Sequence, residues 1–161
     1  MSEDGPLEVL TWGDFGGACR ELAQMVADDG YRPDVILAVA RGGLLPGGAV
    51  AYALGVKNVF TMNVEFYTGV NRRMEMPVML PPMLNVVDVK DLTMLVVDDV
   101  ADTGATLQVV TDYVSEHVTD VRCAVLYEKP QSSVRCSYVW KWTDRWIDFP
   151  WSSREPVSAT R

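Results

Sequence analysis

The sequence predicts an α/β protein: a doubly wound, mostly parallel sheet with a flexible lid. Three observations lead there. Apolar runs of strand length recur at Asp34–Ala40, Val56–Asn63, Thr93–Asp98 and Val121–Tyr127, as expected of strands covered on both faces by helices. Helix-period segments lie between several of these runs, and such alternation builds βαβ units around a parallel sheet. Two of the runs break into loops rich in chemistry, Arg41-Gly42-Gly43 and the acidic stretch from Asp98, where open α/β sheets bind ligands.

Taken in order, Thr11-Trp12-Gly13-Asp14 has the form of a capping box. Phe15, Ala18, Cys19, Leu22, Met25 and Val26 follow at helical spacing until Asp28-Asp29-Gly30, so the first helix is expected over 12–29. A buried strand over 34–40 ends at Arg41-Gly42-Gly43, and a second helix runs from Pro46 to Leu54 with Gly55 as its cap. A strand over 56–63 comes next. Residues 64–92 carry Pro77, Pro81, Pro82 and four methionines without clean periodicity, which predicts a mobile flap containing some strand. A strand over 93–98 leads into a helix over 105–118, whose Leu107, Val110 and Val114 share a face. Strands over 121–127 and 136–140 complete the sheet, and the two termini are expected to be disordered.

Bulk properties limit the function classes. A chain of 161 residues fits one domain, 1–161, because about 150 residues suffice to bury roughly 70% of the unfolded surface. A formal charge of −8, with Arg72-Arg73 the only basic pair, disfavours nucleic acid as a partner. No apolar run approaches the ~20 residues that span a bilayer, so no membrane is expected. The polar, acidic start is not a secretory signal. Cys19, Cys123 and Cys136 form an odd set in apolar contexts, read as buried thiols in a reducing cytoplasm. His117, near the end of a helix, is read as structural.

The chemistry concentrates in Asp98-Asp99-Val100-Ala101-Asp102-Thr103-Gly104-Ala105-Thr106. Here a buried strand passes through acids into a helix N-terminus, whose free N–H groups and dipole attract phosphate. Residues 103–106 are therefore expected to hold a terminal phosphate. The adjacent carboxylates of Asp98 and Asp99 suit a vicinal diol or a water-mediated Mg²⁺, a hard cation that favours oxygen. Arg41-Gly42-Gly43 offers successive N–H groups and a guanidinium, an anion nest in which glycine permits unusual backbone angles and close approach.

The segment 98–106 resembles the PRPP-binding signature of the type I phosphoribosyltransferases. The likeness runs from Thr11-Trp12 to Trp151 and is strongest to the bacterial 6-oxopurine branch, which acts on xanthine, guanine or hypoxanthine. The resemblance implies that Asp98 and Asp99 serve the ribose hydroxyls, with Asp99 the metal ligand, and that Asp102 is the general acid/base. It assigns Val100, Ala101, Thr103, Gly104, Ala105 and Thr106 to the donor, Arg41 and Gly42 to pyrophosphate, and Arg73 to the lid, with Arg72 an open alternative. Tyr67, Asn71 and the two arginines lie in the flap, whose closure would exclude water.

For the base, the resemblance points to the hood over 129–151. Lys129 would donate to the exocyclic purine oxygen, Trp146 would stack, and the Ile147 carbonyl and Asp148 would accept from the opposite edge. A cation there favours a 6-oxo over a 6-amino purine, because an amino group offers it no acceptor. Trp140, Trp142 and Trp151 are read as core. The implied partners are PRPP and a purine, with Mg²⁺ as cofactor and a dimer or tetramer as assembly. Two alternatives stay open: transfer to another nucleobase, and a non-catalytic regulator that senses PRPP or nucleotide on the same fold.

Overall fold

A computed structural model describes residues 6–68, 75–80 and 89–159. The chain runs β1 (Glu8–Val9), α1 (Trp12–Asp28), β2 (Val35–Ala40), α2 (Leu44–Leu54), β3 (Val59–Thr68), β4 (Glu75–Leu80), β5 (Thr93–Ala101), α3 (Ala105–Ser115), β6 (Asp120–Glu128), β7 (Tyr138–Trp142) and β8 (Ile147–Asp148). Six strands form one sheet in the order β4-β3-β2-β5-β6-β7, and every pairing is parallel except β3 with β4. The sheet is therefore doubly wound and mostly parallel, as the apolar runs predicted.

The strand order fixes where a ligand can sit. From β2 the chain moves outward through β3 and β4, then returns to the other side of β2 and moves outward again through β5, β6 and β7. Neighbouring crossovers diverge between β2 and β5, opening a crevice at the carboxyl ends of those two strands. The Arg41-Gly42-Gly43 turn and the acidic segment leave from those ends.

Two apolar layers flank the sheet. One gathers Leu22 and Val26 of α1, Val50 and Ala51 of α2 and the β5 residues Leu95 and Val97. The other packs Leu107, Val110 and Val114 of α3 against Leu37, Met94, Val96 and Val125. Alternation along β5 sends Leu95 and Val97 to one layer and Met94 and Val96 to the other. That explains why β5 reads as an unbroken apolar run.

Helix α1 begins as its capping residues predicted: Thr11 Oγ1 accepts from the Asp14 N–H at 3.1 Å, and the Thr11 hydroxyl donates back to the Asp14 carboxylate. Elsewhere the structure corrects the sequence reading. Residues 6–10 are ordered against the hood, with β1 paired in parallel to β8, so that part of the N-terminus is not disordered. β5 extends three residues beyond Asp98, and α3 stops at Ser115, which leaves His117 past the helix with its ring edge-on to Tyr113. β7 begins at Tyr138, so Cys136 lies in the segment before it. Trp142 is 64% exposed and is not a core residue. Part of the expected flap is an antiparallel hairpin, β3 with β4, and the proposed lid arginines Arg72 and Arg73 lie outside the described residues, as does Asn71.

Candidate active site

Backbone of the β5–α3 turn forms one end of the crevice. Gly104 caps α3 in the left-handed conformation, φ 83°, which costs little only in glycine. The first intrahelical bond runs from the Gln108 N–H to the Gly104 carbonyl, so the amides of Ala105, Thr106 and Leu107 precede the ladder. The Ala105 N–H reaches Thr103 Oγ1 at 3.3 Å. A cavity of about 100 Å³ opens here, lined by Asp98, Asp102, Thr103, Gly104, Thr106 and their neighbours. Its size, its converging amides and the helix dipole suit one phosphate group.

The turn is fastened from behind by residues the sequence reading did not single out. The Ser133 N–H donates to the Thr103 carbonyl at 2.8 Å, and the Ser133 hydroxyl donates to the same oxygen at 3.0 Å. A Cβ on Gly104 would lie 2.7 Å from Ser132 Oγ and 2.8 Å from the Val134 nitrogen. Gln131 Nε2 donates to Asp102 Oδ1 at 2.7 Å. No local pattern in the sequence announces these contacts, because each spans about thirty residues of chain.

Asp98 and Asp99 lie within β5 near its end. Asp98 is 8% exposed, and burial together with the Asp99 charge pushes its carboxyl well above the usual range. Burial also raises Asp99, against hydrogen bonds that favour its ionised form, among them one from the Trp151 indole. Each carboxylate accepts the next backbone N–H through its Oδ1 at 2.8 Å, which fixes the orientation of the pair. Among the described residues no cluster of three or more acidic, His or Cys side chains forms a protein-only metal cage. An adjacent carboxylate pair nonetheless matches the donor set of Mg²⁺ that takes its remaining oxygens from substrate and water.

The second loop presses against that pair. A Cβ on Gly42 would overlap the Asp99 carboxylate, and one on Gly43 would overlap the Val39 and Val97 carbonyls. Neither glycine has a positive φ, so these positions need glycine for close approach, as the sequence reading expected, and not for the unusual angles it also allowed. The Ala40–Arg41 peptide is cis, and Arg41 stands exposed at the mouth of the crevice.

At the other end stands the hood. Lys129 follows β6, is 3% exposed and ties its N–H to the Ala101 carbonyl at 3.0 Å, while its Nζ lies 5.8 Å from the centre of the Trp146 ring. Trp146 is 62% exposed. Its carbonyl and that of Asp148 accept from the N–H groups of Glu8 and Leu10, at 2.8 and 3.1 Å. Peptide groups alternate along a strand, so the Ile147 carbonyl faces away from β1. Glu128, 1% exposed, is neutralised by Arg135 at 2.8 Å and also accepts from the Cys136 N–H. Trp151 packs with Trp12, Phe15 and Phe149 as expected of a core residue.

A larger cavity, about 610 Å³, lies at the opposite end of the strands, before β2 and β3, between Tyr31, Arg32, Gly55 and Lys57. Volume alone does not make a site. The smaller cavity has the acids, the helix N-terminus and the strand ends.

A crevice at the switch point of a doubly wound sheet, with a phosphate-sized amide cradle and paired acids, defines a protein that binds a phosphorylated sugar. The family model for the phosphoribosyl transferase domain matches residues 7–156, and the chain belongs to that family and is a phosphoribosyltransferase. It is 31% identical over 154 residues to the xanthine-guanine phosphoribosyltransferase of Ruegeria sp. (strain TM1040), covering 88% of this chain and 83% of that protein. The crystal structure of a purine phosphoribosyltransferase from Pyrococcus horikoshii Ot3 superposes with a TM-score of 0.84 at 37% identity, covering 96% of this chain and 99% of that one. The xanthine-guanine-hypoxanthine phosphoribosyltransferase of Helicobacter pylori shares the fold, with a TM-score of 0.72 at 20% identity over 91% of this chain and 92% of that one.

Proposed function

We propose that the enzyme transfers the 5-phosphoribosyl group of PRPP to a 6-oxopurine, releasing pyrophosphate and forming the nucleoside monophosphate of a salvage reaction. The observation that carries this reading is the buried cation Lys129 beside the exposed Trp146 ring, one strand from the phosphate cradle. An ammonium requires an acceptor, which the 6-oxo group supplies and a 6-amino group does not. The outward Ile147 carbonyl and the half-buried Asp148 would accept from N–H groups at the opposite edge of the same base.

In this reading the ribosyl C1–O bond breaks and its electron pair leaves with pyrophosphate. A purine nitrogen donates the pair that forms the new C1–N bond, and the purine proton passes to Asp102. Thr103 to Thr106 hold the 5-phosphate, Asp98 and Asp99 the ribose hydroxyls, and Arg41 with the Gly42 amide the pyrophosphate. Arg73 would close the lid. Asp99, together with oxygens of the donor, would hold Mg²⁺, which when bound would neutralise charge at the pyrophosphate. Alignment of two bound substrates contributes up to about 7–11 kcal/mol to such a reaction.

A homo-oligomer and a cytoplasmic setting belong to the same reading. Helix α2 carries no charged residue and leaves Leu44 and Tyr52 exposed, a surface suited to a second copy. Among the described residues no helix is long and apolar enough to cross a membrane.

Pyrophosphate release from PRPP and Mg²⁺ with hypoxanthine, guanine, xanthine or adenine tests the proposal. Turnover with at least one 6-oxopurine and none above background with adenine is expected. Preference for adenine, or binding of PRPP without turnover of any base, sinks it.

A further inference from the structure

Resting on the purine-transfer reading, we infer that Gln131 is the positioning residue of Asp102, fixing which carboxylate oxygen meets the purine. The Gln131 amide nitrogen lies 2.7 Å from Asp102 Oδ1. An ionised carboxylate only accepts hydrogen bonds, so the amide must donate, and the bond commits Oδ1 to the protein and leaves Oδ2 to the base.

The reach of Gln131 is itself fixed. Pro130 precedes it with a locked φ, and the Ser132 N–H closes a turn onto the Lys129 carbonyl at 3.0 Å. Ser133 then bonds the Thr103 carbonyl, so the loop is anchored on the far side of Gln131 as well. Arg135 donates to the Pro130 carbonyl at 2.9 Å while paired to the buried Glu128, which holds the loop from within. One short segment thus carries the cation for the purine oxygen, Lys129, and two residues later the partner that orients the acid/base group.

The chemistry of the partner suits the task. A lysine or arginine at this position would hold the carboxylate ionised and weaken it as a base. A neutral amide orients it without adding a charge. Gln131 is exposed, so substitution is compatible with folding.

Single-turnover rates of PRPP with a 6-oxopurine, measured across pH, test this with Gln131→Met, which keeps the length and removes the donor, and Gln131→Glu, which places a second carboxylate against the first. Gln131→Met is expected to slow the chemical step about tenfold, with KM for PRPP within about twofold of the parent, the size of effect typical of one hydrogen bond to a charged group. In Gln131→Glu the acid limb of the rate profile should move to higher pH, because a like charge raises the proton affinity of Asp102. A loop that merely supported the fold would lower the rate equally at every pH. A parent that turns over, combined with an unmoved limb in Gln131→Glu or an unchanged rate in Gln131→Met, overturns this inference alone. A parent that releases no pyrophosphate with any purine overturns the purine reading and this inference together.

Discussion

The phosphate end and the base end of the crevice are built from different materials. At the phosphate end the proposed binding groups are main-chain amides in a turn shaped by Gly104 in its left-handed conformation and by the grip of Ser133 on the Thr103 carbonyl. At the base end the proposed groups are mostly side chains, one cation on a largely buried lysine and one indole standing in solvent. A main-chain cradle changes only when the fold changes, whereas side chains change one at a time. On the proposed assignment, the contrast teaches that the ability to hold a ribosyl donor would be bound up with folding, while the choice of base could drift on the same frame.

Substitutions at the two ends should separate these properties. The largest effect is expected where the ends meet, at Asp102. Replacing it with Asn should lower turnover about 10²–10⁴-fold, the usual contribution of a general acid/base, while PRPP binding by calorimetry stays near that of the parent. Equal turnover in both proteins would remove Asp102 from the proton transfer. Gly104→Ala comes next. It forces a left-handed backbone on a residue with Cβ and drives that atom into Ser132 and the Val134 amide, at a cost of roughly 2–4 kcal/mol. Both the unfolding midpoint and PRPP affinity should fall together; loss of one without the other would show that cradle and fold are separable.

Lys129→Met should do the reverse. The kcat/KM for 6-oxopurines should drop about tenfold or more, since a buried charge-assisted hydrogen bond is lost, with PRPP affinity held within about twofold. A matching loss of PRPP affinity would mean that the two ends are not independent. The smallest effect is expected far from both. Asp34, at the amino ends of the strands, accepts from the N–H and hydroxyl of Thr93, which hold its carboxyl below the ordinary value near 3.8. A lowered pKa gives stability that is present above the unfolded value and lost as pH falls through the folded one. Asp34→Asn should therefore flatten the decline of the melting temperature below about pH 4 by a small amount, as Asp34 is exposed, and leave catalysis untouched.

How much of this was legible in the sequence follows the same division. β5 with its paired acids, the turn after it and the start of α3 could be read because every signal is local: an apolar run, adjacent acids, then helix-forming residues. Helix α1 was legible from Thr11 and Asp14 for the same reason. The latch from Gln131 to Val134 was not, because Gln, Ser and Ser after a proline look like any surface loop until β6 brings them behind residue 103. The pairing of β1 with β8 involves two residues on each side and leaves no period to detect. Trp142 was misread for a related reason: a tryptophan in a strand is buried only if its face is covered, and β7 is an edge strand of the sheet.

The union of Glu8–Val9 with Ile147–Asp148 ties the beginning of the chain to the strand that carries the proposed base acceptors. Lys141 adds an ion pair to Glu8, and the Tyr127 hydroxyl approaches the same carboxylate. Fusion partners or trimming ahead of Thr11 would tug on Ile147 although nearly the whole polypeptide separates them. If the proposed acceptors select the base, discrimination among nucleobases would depend on the first residues of the chain as well as on the hood, and an affinity tag is safer placed behind Trp151 than in front of Leu7.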